Sequence, residues 1–128
     1  MRWTALYAGL LAFLYLGLAW RVVRLRQQLK QALGDGGHRS LNQAIRVHAN
    51  FAEYVPFALL LLLLVEGSRA PVYLVHGIGG GLLLGRLLHA WGLTRRAGTS
   101  FGRFYGTALT FAALLVPAGY LIYQSLLG

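Results

Sequence analysis

The chain has 128 residues, 57% hydrophobic and 12% charged, with a mean hydropathy of +0.57; soluble domains carry about 25% charged residues, so one membrane domain over residues 1–128 is expected. With no cysteine, disulfide frameworks, thiol catalysis and thiolate metal sites are excluded. The net charge of +9, from 12 Arg and Lys against three acids, would suggest nucleic acid in a soluble protein, but here the basic residues flank apolar runs and no nucleic-acid partner is expected.

Four spanning helices of about 20 apolar residues each fit this length, predicting an all-α integral membrane protein with an up-down bundle. The first apolar run, Trp3 to Val23, is broken only by Arg21. It exceeds the apolar core of a signal peptide, about 7–15 residues, and no A-x-A site closes it, so a retained helix is expected. Trp3, Tyr7 and Trp20 fall near its interfaces. The helical pattern continues through Arg21, Arg24, Arg26 and Lys30, predicting a helix over 3–30 that projects into water until Gly34-Asp35-Gly36-Gly37 turns the chain.

Ser40-Leu41-Asn42-Gln43 reads as an S-x-x-Q capping box opening a second helix over 41–65. That helix is polar for three turns, then apolar from Tyr54 to Val65. After the Glu66–Arg69 turn, Pro71 suits the first position of a third helix over 71–92. Arg95 to Thr99 forms the last loop, Ser100 reads as an N-cap, and a fourth helix covers 101–127.

Arg21, Arg24, Arg26, Lys30, Arg39, Arg46, Arg86, Arg95, Arg96 and Arg103 lie around the first and third connections, against only Arg2 and Arg69 on the other side. This bias places both basic loops in the cytoplasm and both termini outside. Gly77-x-x-x-Gly81-x-x-x-Gly85 on the third helix and Gly102-x-x-x-Gly106 on the fourth predict close helix packing, because small residues let backbones touch in lipid. Tyr120 and Tyr123 read as an interfacial belt.

Asn42, Arg46, Asn50 and Glu53 are spaced four, four and three apart. At about 100° per residue they share roughly 80° of arc, one narrow face. Such groups near a bilayer face a partner, a ligand or water. A helix that merely enters the membrane near Glu53, with Arg46 solvated or ion-paired, is the competing reading. His48 lies on the opposite side and by itself reads as a packing residue. Arg86 and His89, one turn apart, read equally as headgroup contacts or as site residues, and His76 among glycines reads as packing. Arg103, in the first turn of the fourth helix, adds its charge to the partial charge of the helix N-terminus, a field suited to an anion, or else snorkels to the interface. The histidines and acids show no metal-ligand spacing, so no metal is expected.

The stretch Arg46-Val47-His48-Ala49-Asn50-Phe51-Ala52-Glu53-Tyr54-Val55-Pro56-Phe57 resembles the second-helix signature R-x-x-x-N-x-x-E-x-x-P of the MAPEG family, the membrane-associated proteins of eicosanoid and glutathione metabolism. The arginine-rich end of the first helix and the arginine of the fourth extend the likeness along nearly the whole chain. The Gly-Asp-Gly-Gly loop looks like that of bacterial members. The resemblance implies a homotrimer in a bacterial inner membrane, with periplasmic termini and glutathione as cosubstrate between neighbouring subunits near the cytoplasmic face. Carried over by motif, Arg24, Arg46, His48, Asn50, Glu53, Tyr54 and His89 are implied glutathione contacts, and Arg103 is the implied catalytic arginine. Leu93 and Phe104 depart from the pattern, standing where several members carry a tyrosine and some a serine.

Elementary chemistry agrees. Glutathione offers two carboxylates, an ammonium and a thiol; Arg24 and Arg46 suit the carboxylates, Glu53 the ammonium and Asn50 either. A free thiol titrates near ~8.5, and an arginine beside a helix N-terminus that lowered this by ~1.5 units would raise the thiolate at pH 7 from about 3% to about half. The implied activity is transferase- or peroxidase-like, on small lipophilic electrophiles berthed between helices. A non-catalytic trimer with the same fold is the main alternative. A small multidrug transporter is a further one, though that family resembles a design with an acid in the first helix, which this helix lacks.

Overall fold

A computed structural model of the chain describes residues 1–95 and 101–128, the side chains of residues 93–95 excepted. Four helices form: α1 (Arg2–Leu29), α2 (Arg39–Gly67), α3 (Val72–Arg95) and α4 (Phe101–Leu127). No strand occurs among the described residues. The expected last turn, from Arg96, and its Ser100 cap lie outside the described residues.

The short connections force neighbouring helices antiparallel, and hydrogen bonds at one end register this. Glu66, at the end of α2, accepts the backbone N–H groups of Trp3 at 2.8 Å and Thr4 at 2.7 Å. These are orphan donors of the first turn of α1, so an acid from a neighbouring helix caps it where its own N-terminus lacks a side-chain cap. Gln124 near the end of α4 reaches the Ser68 carbonyl at 3.4 Å, bringing the far end of that helix to the same side. Both termini therefore share one end of the bundle with the 68–71 turn, and the basic 30–38 loop occupies the other.

α2 packs against all three other helices, while α1 and α4 do not meet. Leu11, Val47, Phe51, Val55, Leu62, Val75, Ile78, Leu82 and Ala113 fill the space between. The outer surface is covered by exposed apolar side chains such as Phe13, Leu16, Phe57, Tyr73 and Leu115. Water would penalise such a surface and lipid does not. By length and composition α1, α2 and α4 are able to cross a membrane. α3 has 24 residues, its apolar runs interrupted by glycines, His76, Arg86 and His89. This is therefore a membrane-type bundle of four helices, with its polar residues concentrated on the last turns of α1 and on the first half of α2.

Two local expectations change. α2 starts at Arg39 with His38 as N-cap and no side-chain cap bond, so the Ser40–Gln43 capping box does not form. The reason lies upstream, where His38 N–H bonds to the Asp35 carbonyl at 2.8 Å and the turn itself delivers the chain into the helix. Pro71 likewise precedes α3 rather than opening it, its carbonyl accepting the Leu74 N–H at 3.0 Å.

The glycine stripe of α3 divides among three environments. A Cβ on Gly85 would lie 3.0 Å from the Gly106 carbonyl of α4, one on Gly106 would lie 2.6 Å from the Gly85 carbonyl, and one on Gly102 would lie 2.6 Å from the Leu88 carbonyl. Gly79 instead receives the Tyr7 ring of α1, and Gly77 and Gly81 have open space. Tyr7 also bonds His76 Nδ1 through its hydroxyl at 2.8 Å, which makes His76 a packing residue as its surroundings suggested. The obstruction at Gly106 is backbone on both sides and cannot rotate away. Gly106→Ala should therefore cost ~1–3 kcal/mol through overpacking, lowering the thermal midpoint in detergent, whereas Gly77→Ala should leave it within the error of the measurement or slightly raise it.

Candidate functional site

The first half of α2 carries polar residues on one face because their spacing matches the helical repeat. At the basic end of the bundle this face joins the 30–38 loop and the ends of α3 and α4 around a cavity of about 390 Å³. Asp35, His38, Arg39, Asn42, Gln43, Arg46 and Asn50 line it from the loop and α2, His89 from α3 and Arg103 from α4. Four of the expected site residues, Arg46, Asn50, His89 and Arg103, thus converge although they are drawn from three helices.

The others do not join them within one subunit. Glu53 ends the α2 stripe but leaves the cavity, its carboxylate lying 3.8 Å from Arg46 with both side chains more than half exposed. An ion pair so exposed contributes little to stability, ~0–1 kcal/mol. His48 points toward α1 and stacks on Tyr15, ring centroids 4.9 Å apart. Tyr54 packs beside Phe111 at 5.7 Å. Arg24 lies on α1 in a separate hollow of about 410 Å³, with Trp20, Arg21, Gln28 and Ser40.

Two residues beyond the expected set shape the cavity. The first is Arg86, whose headgroup-contact reading is corrected by its burial: it is 1% exposed. One guanidinium nitrogen reaches Thr110 Oγ1 at 3.5 Å and another reaches His89 Nδ1 at 3.4 Å. Its charged plane lies over the Phe51 ring, 5.8 Å from the centroid, and its Nε has no partner. A sequence does not show which side of a glycine-rich helix is covered, so it leaves an arginine there equally open to a headgroup contact and to a site role. A guanidinium only donates, so Nδ1 of His89 accepts and the imidazole proton resides on Nε2, the nitrogen opposite Arg86. The second is Asp35, legible in the sequence only as a turn residue. Its carboxylate accepts the Gly37 N–H at 2.9 Å and Asn42 Nδ2 at 2.8 Å. Those bonds, the Gly37 one foremost, hold its carboxyl below the usual carboxylate range, so it stays ionised at neutral pH.

The arrangement gives the cavity three guanidiniums (Arg39, Arg46 and Arg103), two imidazoles, three side-chain amides (Asn42, Gln43 and Asn50) and one carboxylate. Arg103 occupies the first turn of α4, where the unsatisfied N–H groups add partial positive charge. Such a site suits a small polar molecule with more negative than positive groups. Phe104 and Tyr105, which follow Arg103, turn outward and pack on each other at 5.1 Å, so neither brings a hydroxyl to the cavity. Among the described residues no group of three or more histidines and acids is placed to hold a metal.

Comparison with known proteins bears on the same features. The inner membrane protein YecN of Escherichia coli strain K12 is 43% identical over 113 residues, covering 88% of this chain and 85% of that protein. YecN of Escherichia coli O6:H1, strain CFT073, matches to the same extent. The model of the MAPEG family matches residues 4–123, which take in most of α1 and α4, all of α2 and α3, and every residue lining the cavity. With four antiparallel helices, Arg46 and Asn50 of the α2 signature facing a polar cavity and a match over nearly its whole length, this chain belongs to the MAPEG family.

Proposed function

We propose that the protein is an inner-membrane glutathione-dependent enzyme, transferase- or peroxidase-like, acting on small lipophilic electrophiles. The observation that carries this reading is the convergence of Arg46, Asn50, His89 and Arg103 on one cavity at the basic end of the bundle. Arg46 and Arg39 suit the carboxylates of the tripeptide, Asn50 its amides, and the His89 Nε2–H an anionic oxygen or sulfur. Arg103, with the α4 N-terminus behind it, is the group placed to stabilise a thiolate. A thiolate attacks the electrophile, forming the new C–S bond as the leaving group departs or the acceptor takes a proton.

Arg24 enters this reading through assembly. In a homotrimer its hollow on α1 would face the cavity of a neighbouring subunit, so that the site is completed between chains. The positive-inside bias orients that site toward the cytoplasm. The outward turn of Phe104 and Tyr105 favours one second reading, a trimer of the same fold that binds glutathione without turning it over.

Three experiments test these statements. Arg103→Leu should retain most of the glutathione affinity measured by calorimetry, raise the pKa of the bound thiol, and lower turnover at pH 7 by ~10-fold or more, about 1.4 kcal/mol per unit of pKa. Arg46→Leu should mainly weaken binding. A wild-type thiolate titration curve in Arg103→Leu would remove that residue from catalysis, and binding without any conjugation would leave the second reading. Co-expression of Arg24→Leu with Arg103→Leu chains should restore about a quarter of the sites in random trimers if each site draws on two subunits; no recovery beyond the separate variants would rule out the shared site. Cysteine placed at Gly36 should label only from the cytoplasmic side, and labelling from outside would reverse the orientation.

A further inference from the structure

Arg86 sits behind the cavity wall rather than in it, and of the groups its guanidinium meets only His89 lines the cavity. We propose that Arg86 is a positioning residue: it fixes His89 as a hydrogen-bond donor to the ligand and prevents that ring from taking up the thiol proton. The inference rests on the glutathione reading and divides the handling of the thiol between His89 and Arg103.

Enclosure supports this first. Arg86 and Thr110 are 1% exposed and His89 is 2% exposed. The guanidinium meets one group from each of three helices: Nδ1 of His89 on α3, Oγ1 of Thr110 on α4 and the ring of Phe51 on α2. Thr110 is turned to accept, because its own proton goes to the Gly106 carbonyl at 2.8 Å. These contacts lie between helices of one chain, so neighbouring subunits added to the outer faces leave them in place. The backbone of His89 is held as well. A Cβ on Gly106 would lie 2.7 Å from the His89 Cα, so α4 pins the main chain while Arg86 sets the ring.

The valence of the ring supplies the next step. A guanidinium carries five N–H donors and no acceptor, so the nitrogen that faces it must accept. Two N–H groups set against each other repel, which keeps the proton off Nδ1 while Arg86 holds its place. A neutral imidazole then carries its proton on Nε2. His89 lines the cavity and Arg86 does not, so the edge turned away from Arg86 is the one offered to a ligand.

A role in the chemistry follows. A general base needs a free lone pair within hydrogen-bond reach of the proton it takes. The lone pair of His89 is turned to Arg86, so the ring stabilises a thiolate through Nε2–H and does not remove its proton. The S–H bond breaks with its electron pair left on sulfur and its proton passed to solvent. The anion is then shared between Arg103, in the first turn of α4, and the His89 donor.

The test is the nitrogen magnetic resonance spectrum of histidine-labelled protein in detergent at neutral pH, with and without saturating glutathione. The His89 signals, identified by their loss in His89→Gln, should show one neutral ring protonated on Nε2 in both states. Arg86→Met should show both tautomers in exchange. By calorimetry Arg86→Met should weaken glutathione binding about fivefold, the scale of one hydrogen bond, and less than about twofold in a His89→Ala background. A proton on Nδ1, an imidazolium in the complex, or a tautomer unchanged in Arg86→Met would overturn the proposal. Equal losses of affinity in the two backgrounds would do the same, since they mark an arginine that acts on the fold alone. If Arg86→Met does not fold, the two wild-type spectra decide by themselves. Absence of glutathione binding by wild type would overturn the proposed function, and the ligand-free spectrum would still decide whether Arg86 fixes the ring.

Discussion

The cavity depends on a contact that contains no polar side chain at all. Where α3 crosses α4, Gly85, Gly102 and Gly106 bring the two backbones together, and a single methyl at any of these positions would meet main-chain atoms. In lipid no hydrophobic effect drives helices together, so this interpenetration of surfaces is what holds them. His89 is carried on the same turns, its backbone directly against Gly106, and Arg103 is carried one turn earlier on α4. The approach of two glycine faces therefore sets the spacing of two residues that line the cavity, His89 and Arg103.

The same contact explains how a guanidinium can be buried in the bundle. Arg86 follows Gly85 and is enclosed by α4 and by Phe51 of α2. Thr110 offers it a hydroxyl, and that hydroxyl in turn donates to the Gly106 carbonyl at 2.8 Å. His89 offers a ring nitrogen on the other side. A buried charge without a carboxylate partner is costly, and such groups in membrane proteins are retained at functional sites. Here the return is an imidazole held in one tautomer at the wall of the cavity.

At the other end of the construction, a charge relation between elements far apart in sequence does comparable work. Glu66 binds the first turn of α1 across more than sixty residues, closing the termini end. Asp35 binds Asn42 at the basic end and closes the loop over α2. Two of the three acids thus fasten helices at opposite ends of the bundle, and the third pairs with Arg46 at the surface.

Much of this was legible in the sequence. Apolar runs of membrane length are a composition signal, and four helices appear within a few residues of their expected limits. The α2 stripe follows from the 3.6-residue repeat, so Arg46 and Asn50 were identifiable without a fold. Glu53 shared that stripe and nevertheless left the cavity, because the cavity closes against the loop and α3 before its turn is reached. The burial of Arg86 and the place of Asp35 had no local signal. Burial is decided by which helix covers which face, and a loop carboxylate acquires a direction only when its hydrogen-bond partners come from another element. The sequence by itself determined that the chain is a bundle of membrane-type helices with its charge gathered at one end, since hydropathy and spacing are properties of single segments. Only the tertiary structure decided that Arg46, Asn50, His89, Arg103 and Asp35 face one space while Arg24 and His48 do not, because that depends on rotations and close approaches between helices that no single segment encodes.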